Sequence, residues 1–129
     1  MKILAEISVG ELFDKITILN IKTQKIEDVQ KLKNIHKELK ILKEQVSKID
    51  ILEKDALEDE IAKLQSINEE LWNIENIKRE CEANNDFGDK FIKLSRDVHF
   101  LNDDRAKIKL EINNHTGSSI KEIKEYTSY

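Results

Sequence analysis

The segment from Phe87 to Ile112 carries Phe87, Phe91, Leu94, Val98, Leu101, Arg105, Ile108 and Ile112, spaced alternately four and three residues apart. That alternation puts every one of them on a single helical face for about seven turns. A strand would need apolar residues at every second position, which this stretch lacks. A second segment repeats the rule, with Leu32, Ile35, Leu39, Leu42, Val46 and Ile49 stepping by three and four. Such a heptad seam predicts left-handed packing against a neighbouring helix. No proline interrupts any of this, there are only three glycines, and 37% of the residues are charged against 5% aromatic. Long helices are therefore the expected structure.

The helices are expected at about 9–25, 29–48, 56–83 and 87–115, followed by a tail over 118–129, all within one domain spanning 1–129. Asp28 caps the second helix in this reading, although no Pro or Gly enforces a break, so one long kinked helix over 9–48 is the alternative. The chain should turn around Asp50 to Asp55, with Asp55 and Glu58 as cap and box of the third helix. Its stripe is Leu57, Ile61, Leu64, Leu71 and Ile74, with Asn68 and Glu75 inside it. So short a turn makes helices 2 and 3 an antiparallel hairpin. Asn84 to Gly88 is the next connection, with Asp86 as cap, and Gly117 ends the last helix as a C′ glycine. The predicted fold is all-α: a helical bundle of three to four long helices with a central antiparallel coiled-coil-like hairpin.

The stretch from Ile7 to Ile26 differs from the rest. Ser8 and Glu11 form an S-x-x-E capping box, with Ile7 and Leu12 placed for a hydrophobic staple. Leu12, Ile16, Leu19 and Ile26 share one face, while Ile18 and Ile21 lie nearly opposite, beside Asp14. A helix apolar on two sides needs two partners. One is the rest of the monomer; the other is more of the same chain, a second subunit or a ligand. Gly10 and Gly88 each follow a cap and an apolar residue. Close packing is the expected use of both, and an anion at the free N–H groups the alternative.

Composition narrows function by exclusion. A net charge of −4 does not suit a general nucleic-acid binder. The lone Cys81 forbids an intrachain disulfide framework and fits a reducing, cytoplasmic setting. No apolar run reaches the roughly 18 residues of a membrane span, and the N-terminus does not read as a signal peptide. The scattered His36, His99 and His115 have no metal-ligand spacing, so no metal or cofactor is expected. His115, near a helix end, is read as a partner of the helix dipole. No nucleophile has a base arranged beside it, so no catalytic residue is assigned.

One constellation could hold chemistry. Nineteen lysines stand against three arginines, so an Arg is expected where its planar two-pronged donor is needed. Arg105 sits inside the apolar stripe with Lys109 one turn on. A guanidinium there requires acids, and the candidates are Glu75, Glu11 and Asp14. Either these five residues form an ion-pair network that fixes helix register, or Arg105 and Lys109 hold a small anion. Arg105→Met should be tolerated in the first case provided the acids stay wet.

SVGELFDKITILNIK at Ser8–Lys22, NDFGDKF at Asn85–Phe91 and NDDRAKIKLEIN at Asn102–Asn113 resemble a family of short, uncharacterised bacterial proteins, over nearly the whole chain. The resemblance implies a compact all-helical protein and no particular activity. The all-α chorismate mutases offer a fainter likeness, from which the chain departs in having no Arg on its first helix. Two functions are carried forward. The first is a non-catalytic interaction or scaffold protein that self-associates, as a homodimer through helix 1 or the heptad seam, or engages another protein. The second is a binder of, or enzyme acting on, an anionic metabolite at the cluster around Arg105.

Overall fold

The computed structural model describes residues 1–50 and 54–129. Four helices carry the fold: α1 (Val9–Lys25), α2 (Val29–Val46), α3 (Lys54–Ala83) and α4 (Asp89–Thr116), with no strand among the described residues. The protein is an all-α bundle, as its stripes require.

The first break is real. Ile26 is extended at φ −93°, ψ 131°, Asp28 is extended too, and the Asp28 carboxylate accepts the Lys31 backbone N–H at 2.8 Å. The single kinked helix is thereby excluded. Ser8 caps α1, accepting the Glu11 N–H at 3.1 Å. The other two expected caps are corrected. Helix α3 begins at Lys54, so Asp55 lies within its first turn, and part of the expected turn, residues 51–53, lies outside the described residues. Helix α4 begins at Asp89 with Gly88 as its cap; the Asp86 carboxylate accepts from Gly88 N at 3.3 Å instead of capping the helix. Asn85, at φ 53°, turns the chain out of α3, and Asp86 N reaches back to Cys81 O at 2.8 Å, the six-to-one bond of a Schellman ending. Gly117, at φ 64°, closes α4 as expected.

Helix α1 is the centre of the bundle. It packs on α2, α3 and α4, whereas the backbone of α2 approaches α1 alone among the described helices. The antiparallel hairpin is therefore α3–α4, joined through Asn84–Gly88, and not the expected pairing of helices 2 and 3. The reason lies in the two apolar sides of α1. The α2 seam (Ile35 and Leu39 buried, Leu42 and Val46 half-buried) turns to one of them, and the hairpin takes the other. Ile21 is 1% exposed within the single chain, so the second partner of α1 is more of the same chain. The core joins Leu12, Phe13, Ile16 and Leu19 to Ile35, Leu39, Leu57, Leu64, Ile108 and Ile112.

The core ends well short of the hairpin tip. Between Asn68 and Ile108, Cys81 is the one buried residue; Leu71, Trp72, Ile74, Phe91, Leu94, Val98 and Leu101 are half-buried. At about 1.5 Å per residue α1 is roughly 25 Å long and α3 roughly 45 Å, so α1 cannot cover the whole hairpin. The open end of the hairpin is tied by His115, whose Nδ1 lies 2.5 Å from Glu60 Oε1. His115 thus meets a buried acid on α3, beyond the helix-end role read from its position.

Candidate functional site

Helices α1 and α4 run antiparallel, and their facing side chains step along each helix at three or four residues. Three rungs result. Asn113 Oδ1 accepts Gly10 N at 2.7 Å. Lys109 Nζ donates to Glu11 Oε2 at 2.6 Å. Arg105 grips Asp14 with two prongs, Nε to Oδ1 at 2.9 Å and Nη2 to Oδ2. Helix α3 adds Asn68, whose Nδ2 donates to Asp14 Oδ1 at 3.0 Å and to Thr17 Oγ1 at 2.9 Å.

The first rung explains Gly10. A Cβ there would lie 2.5 Å from the Lys109 carbonyl oxygen and 3.0 Å from Asn113 Oδ1. Glycine lets α1 press its N-terminus onto α4. The free N–H groups of that terminus are all engaged: Val9 N by Ser118 Oγ, Gly10 N by Asn113 and Glu11 N by Ser8. Close packing, and not anion binding, is the use of Gly10. Gly88 has no such neighbour; the nearest atom to its Cβ position is Asp86 Oδ1 at 3.6 Å.

Asp14 is 1% exposed. Burial alone would push its carboxyl up, but hydrogen bonds from Arg105 and Asn68, with the charges of Arg105 and Lys109, hold it below the ordinary carboxylate value. The Arg105 guanidinium is raised by its bond to Asp14, against the cost of its own burial. Burial pulls the Lys109 ammonium down, yet its bond to Glu11 and the charges of Asp14, Glu11 and Glu122 more than offset that and raise it. For Asp14, Arg105 and Lys109 the surroundings thus favour the charged form.

Four of the five expected residues, Arg105, Lys109, Asp14 and Glu11, come together. Glu75 does not. It pairs with Arg79 one turn away at 3.0 Å on the hairpin. The polar residue of the α3 stripe that does meet Asp14 is Asn68. Glu11, read as the second half of a capping box, spends its carboxylate on Lys109 and Lys15. Asn113 and Glu122 were not anticipated. Asn113 stands four residues after Lys109 and eight after Arg105, so it continues their row, a signal present in the sequence. Glu122 comes from the tail, which has no periodicity to announce it.

The tail runs back along α4. Lys121 donates to Asn114 at 2.8 Å, Glu122 accepts from Lys109 at 3.3 Å, and the Tyr129 hydroxyl donates to Asp103. Beneath it a cavity of about 210 Å³ is lined by Asn102, Arg105, Ala106, Lys109, Glu122 and Lys124. Among the described residues no group of three or more His, Cys, Asp or Glu is placed to hold a metal ion, and no described helix is long and apolar enough to cross a membrane.

Two of the three segments that carry the resemblance, Ser8–Lys22 and Asn102–Asn113, build the seam, while Asn85–Phe91 lies at the turn between α3 and α4. The chain belongs to the family of unknown function DUF6165. The match runs over residues 1–129. No curated protein and no solved structure matches the chain. The family carries no activity over to the seam, whose role has to be read from its geometry.

Proposed function

We propose that the protein is a non-catalytic helical interaction module that pairs with a second copy of itself through the outer face of the α3–α4 hairpin. The supporting observation is the placement of its aromatics. Of seven, Phe13 alone is in the core; Trp72 and Phe91 are half-buried on the hairpin, and Phe87, Phe100, Tyr126 and Tyr129 are exposed. Aromatic side chains bring the largest apolar area per residue to an interface and are enriched at its energetic centres. Phe100 stands edge-on to Tyr129, with ring centroids 5.7 Å apart, and Ile92 lies two turns before it at 52% exposure.

The seam supports the same reading from the other side. Asp14 and Arg105 satisfy each other, and the rungs fix how α1 lies on α4, which is the work of a structural network. The surfaces first named for pairing, α1 and the α2 seam, are largely covered within the monomer, which favours the hairpin as the pairing surface in this reading. Charge favours a copy as partner. Residues 69–83 carry five glutamates against Lys78 and Arg79, while residues 89–97 at the start of α4 carry Lys90, Lys93 and Arg96 against Asp89 and Asp97. A twofold contact sets α3 of one copy against α4 of the other and pairs the two signs twice.

Static light scattering with chemical crosslinking tests this. A mass that rises toward twice the monomer with concentration, and a crosslink between hairpins, are expected. A chain that stays strictly monomeric at high concentration contradicts the proposal.

A further inference from the structure

We propose that the cavity between α4 and the tail is a binding site for a small organic carboxylate, in which the Glu122 side chain is the resident stand-in for the ligand. Asp14 takes up two prongs of Arg105, and Glu11 takes one bond of Lys109. The cavity is lined by Arg105, whose Nη1 has no hydrogen-bond partner among the described residues, and by Asn102, Lys109 and Lys124. Into that set the tail inserts one carboxylate. Glu122 lies 3.3 Å from Lys109 and 3.7 Å from Lys124, half exposed, on a segment without regular structure.

The charge balance names the ligand class. With Glu122 withdrawn, Arg105, Lys109 and Lys124 keep only Asp14 and Glu11, and Glu11 is shared with Lys15, so the set is left net positive. One free carboxylate exchanges for one tethered carboxylate with no change in net charge. Size narrows it further. Drug-sized ligands occupy pockets of about 300–1,000 Å³, and this cavity is about 210 Å³. A second cavity of about 280 Å³ shares Ala106, Lys109, Glu122 and Lys124 with it and adds Lys107, Leu110 and Asn113. The ligand is therefore a carboxylate head on the cations with a short apolar body against Ala106 and Leu110.

The tethering predicts how affinity responds. A side chain fixed on a short segment competes at an effective concentration on the order of millimolar, so the intact protein binds free carboxylates weakly. Glu122→Gln removes the competing charge and keeps the shape. Titration calorimetry and amide NMR of the full chain with acetate, butyrate and hexanoate are the experiment, with chloride and inorganic phosphate at matched ionic strength beside them. Glu122→Gln is expected to bind butyrate at least about tenfold more tightly than the intact protein, with the Asn102 side-chain amide shifting on binding. Butyrate should bind more tightly than acetate, and Lys124→Met, a half-exposed change that leaves the core alone, should weaken binding severalfold. Equal affinity of the intact protein and Glu122→Gln overturns the proposal. So does a chloride or phosphate response as large as that to butyrate, or no response to any carboxylate from a Glu122→Gln chain with native helical circular dichroism.

Discussion

At the scale of single residues, Asp14 decides most. Its carboxylate has no water to fall back on, so removing Arg105 strands a buried charge. Such breaks cost about 3–5 kcal/mol, and the cost should sit near the lower end because Lys109 stays 3.8 Å away. Arg105→Met is therefore expected to lower the urea midpoint sharply. The condition under which it was expected to be tolerated, acids that stay wet, is not met. Asp14→Leu together with Arg105→Met should recover at least half the loss, since buried ion pairs replaced as a unit by apolar residues are often neutral. The sign of the pH effect follows from the same carboxyl. Its value in the folded protein lies below the ordinary 3.8, so its contribution is complete above that value and is lost as the pH falls through the lowered one. Acid unfolding followed by circular dichroism should flatten over that range in Asp14→Asn, from a lower starting stability. Gly10 supplies a third expectation. Gly10→Ala must move the α4 backbone away and should cost about 1–3 kcal/mol, the usual range for overpacking. Gly88→Ala, with its nearest atom at 3.6 Å, should cost under about 1 kcal/mol in the same denaturation series.

At the scale of elements, the stripes told how many helices there are and roughly where they run, because periodicity is a property of one segment read alone. The two-sidedness of α1 was legible for the same reason. Which helix lies against which was less so. The heptad seam of α2 states that it wants a neighbour and does not name one, and the short turn suggested α3. The second apolar face of α1 outweighed that, and α2 went to α1. The α3 stripe held two polar residues, Asn68 and Glu75, and charge alone favoured Glu75 as the partner of Arg105. Helix register chose Asn68, since only that position lies level with Asp14 and Thr17. Asn68→Leu should thus loosen α3 from α1 while leaving the α1–α4 rungs in place. Hydrogen exchange should then rise in the middle of α3 and remain slow around Gly10 and Asn113. The caps at Asp55 and Asp86 misled because a capping side chain is recognised by spacing, while the chain's direction into the helix settles which residue caps.

At the scale of the whole molecule, the protein divides between a satisfied end and an unsatisfied one. Around Asp14 every charge is paired and the core is closed. Toward the hairpin tip the helices outrun α1, and the aromatics accumulate where the core has stopped. The sequence displayed this in its aromatic positions, yet a stripe such as Phe91, Leu94, Val98 and Leu101 reads alike whether it is buried or half-buried; only the lengths of the packed neighbours distinguish the two. The tail was opaque for a plainer reason, as a segment without periodicity makes contacts that no local pattern encodes. Self-association through the hairpin is the central claim, and it is tested most directly by hydrogen–deuterium exchange of the full chain at low and high protein concentration. Protection should rise with concentration in 71–83 and 89–104 and stay unchanged in α2. Exchange that is independent of concentration throughout, or a rise confined to α2, would contradict the account.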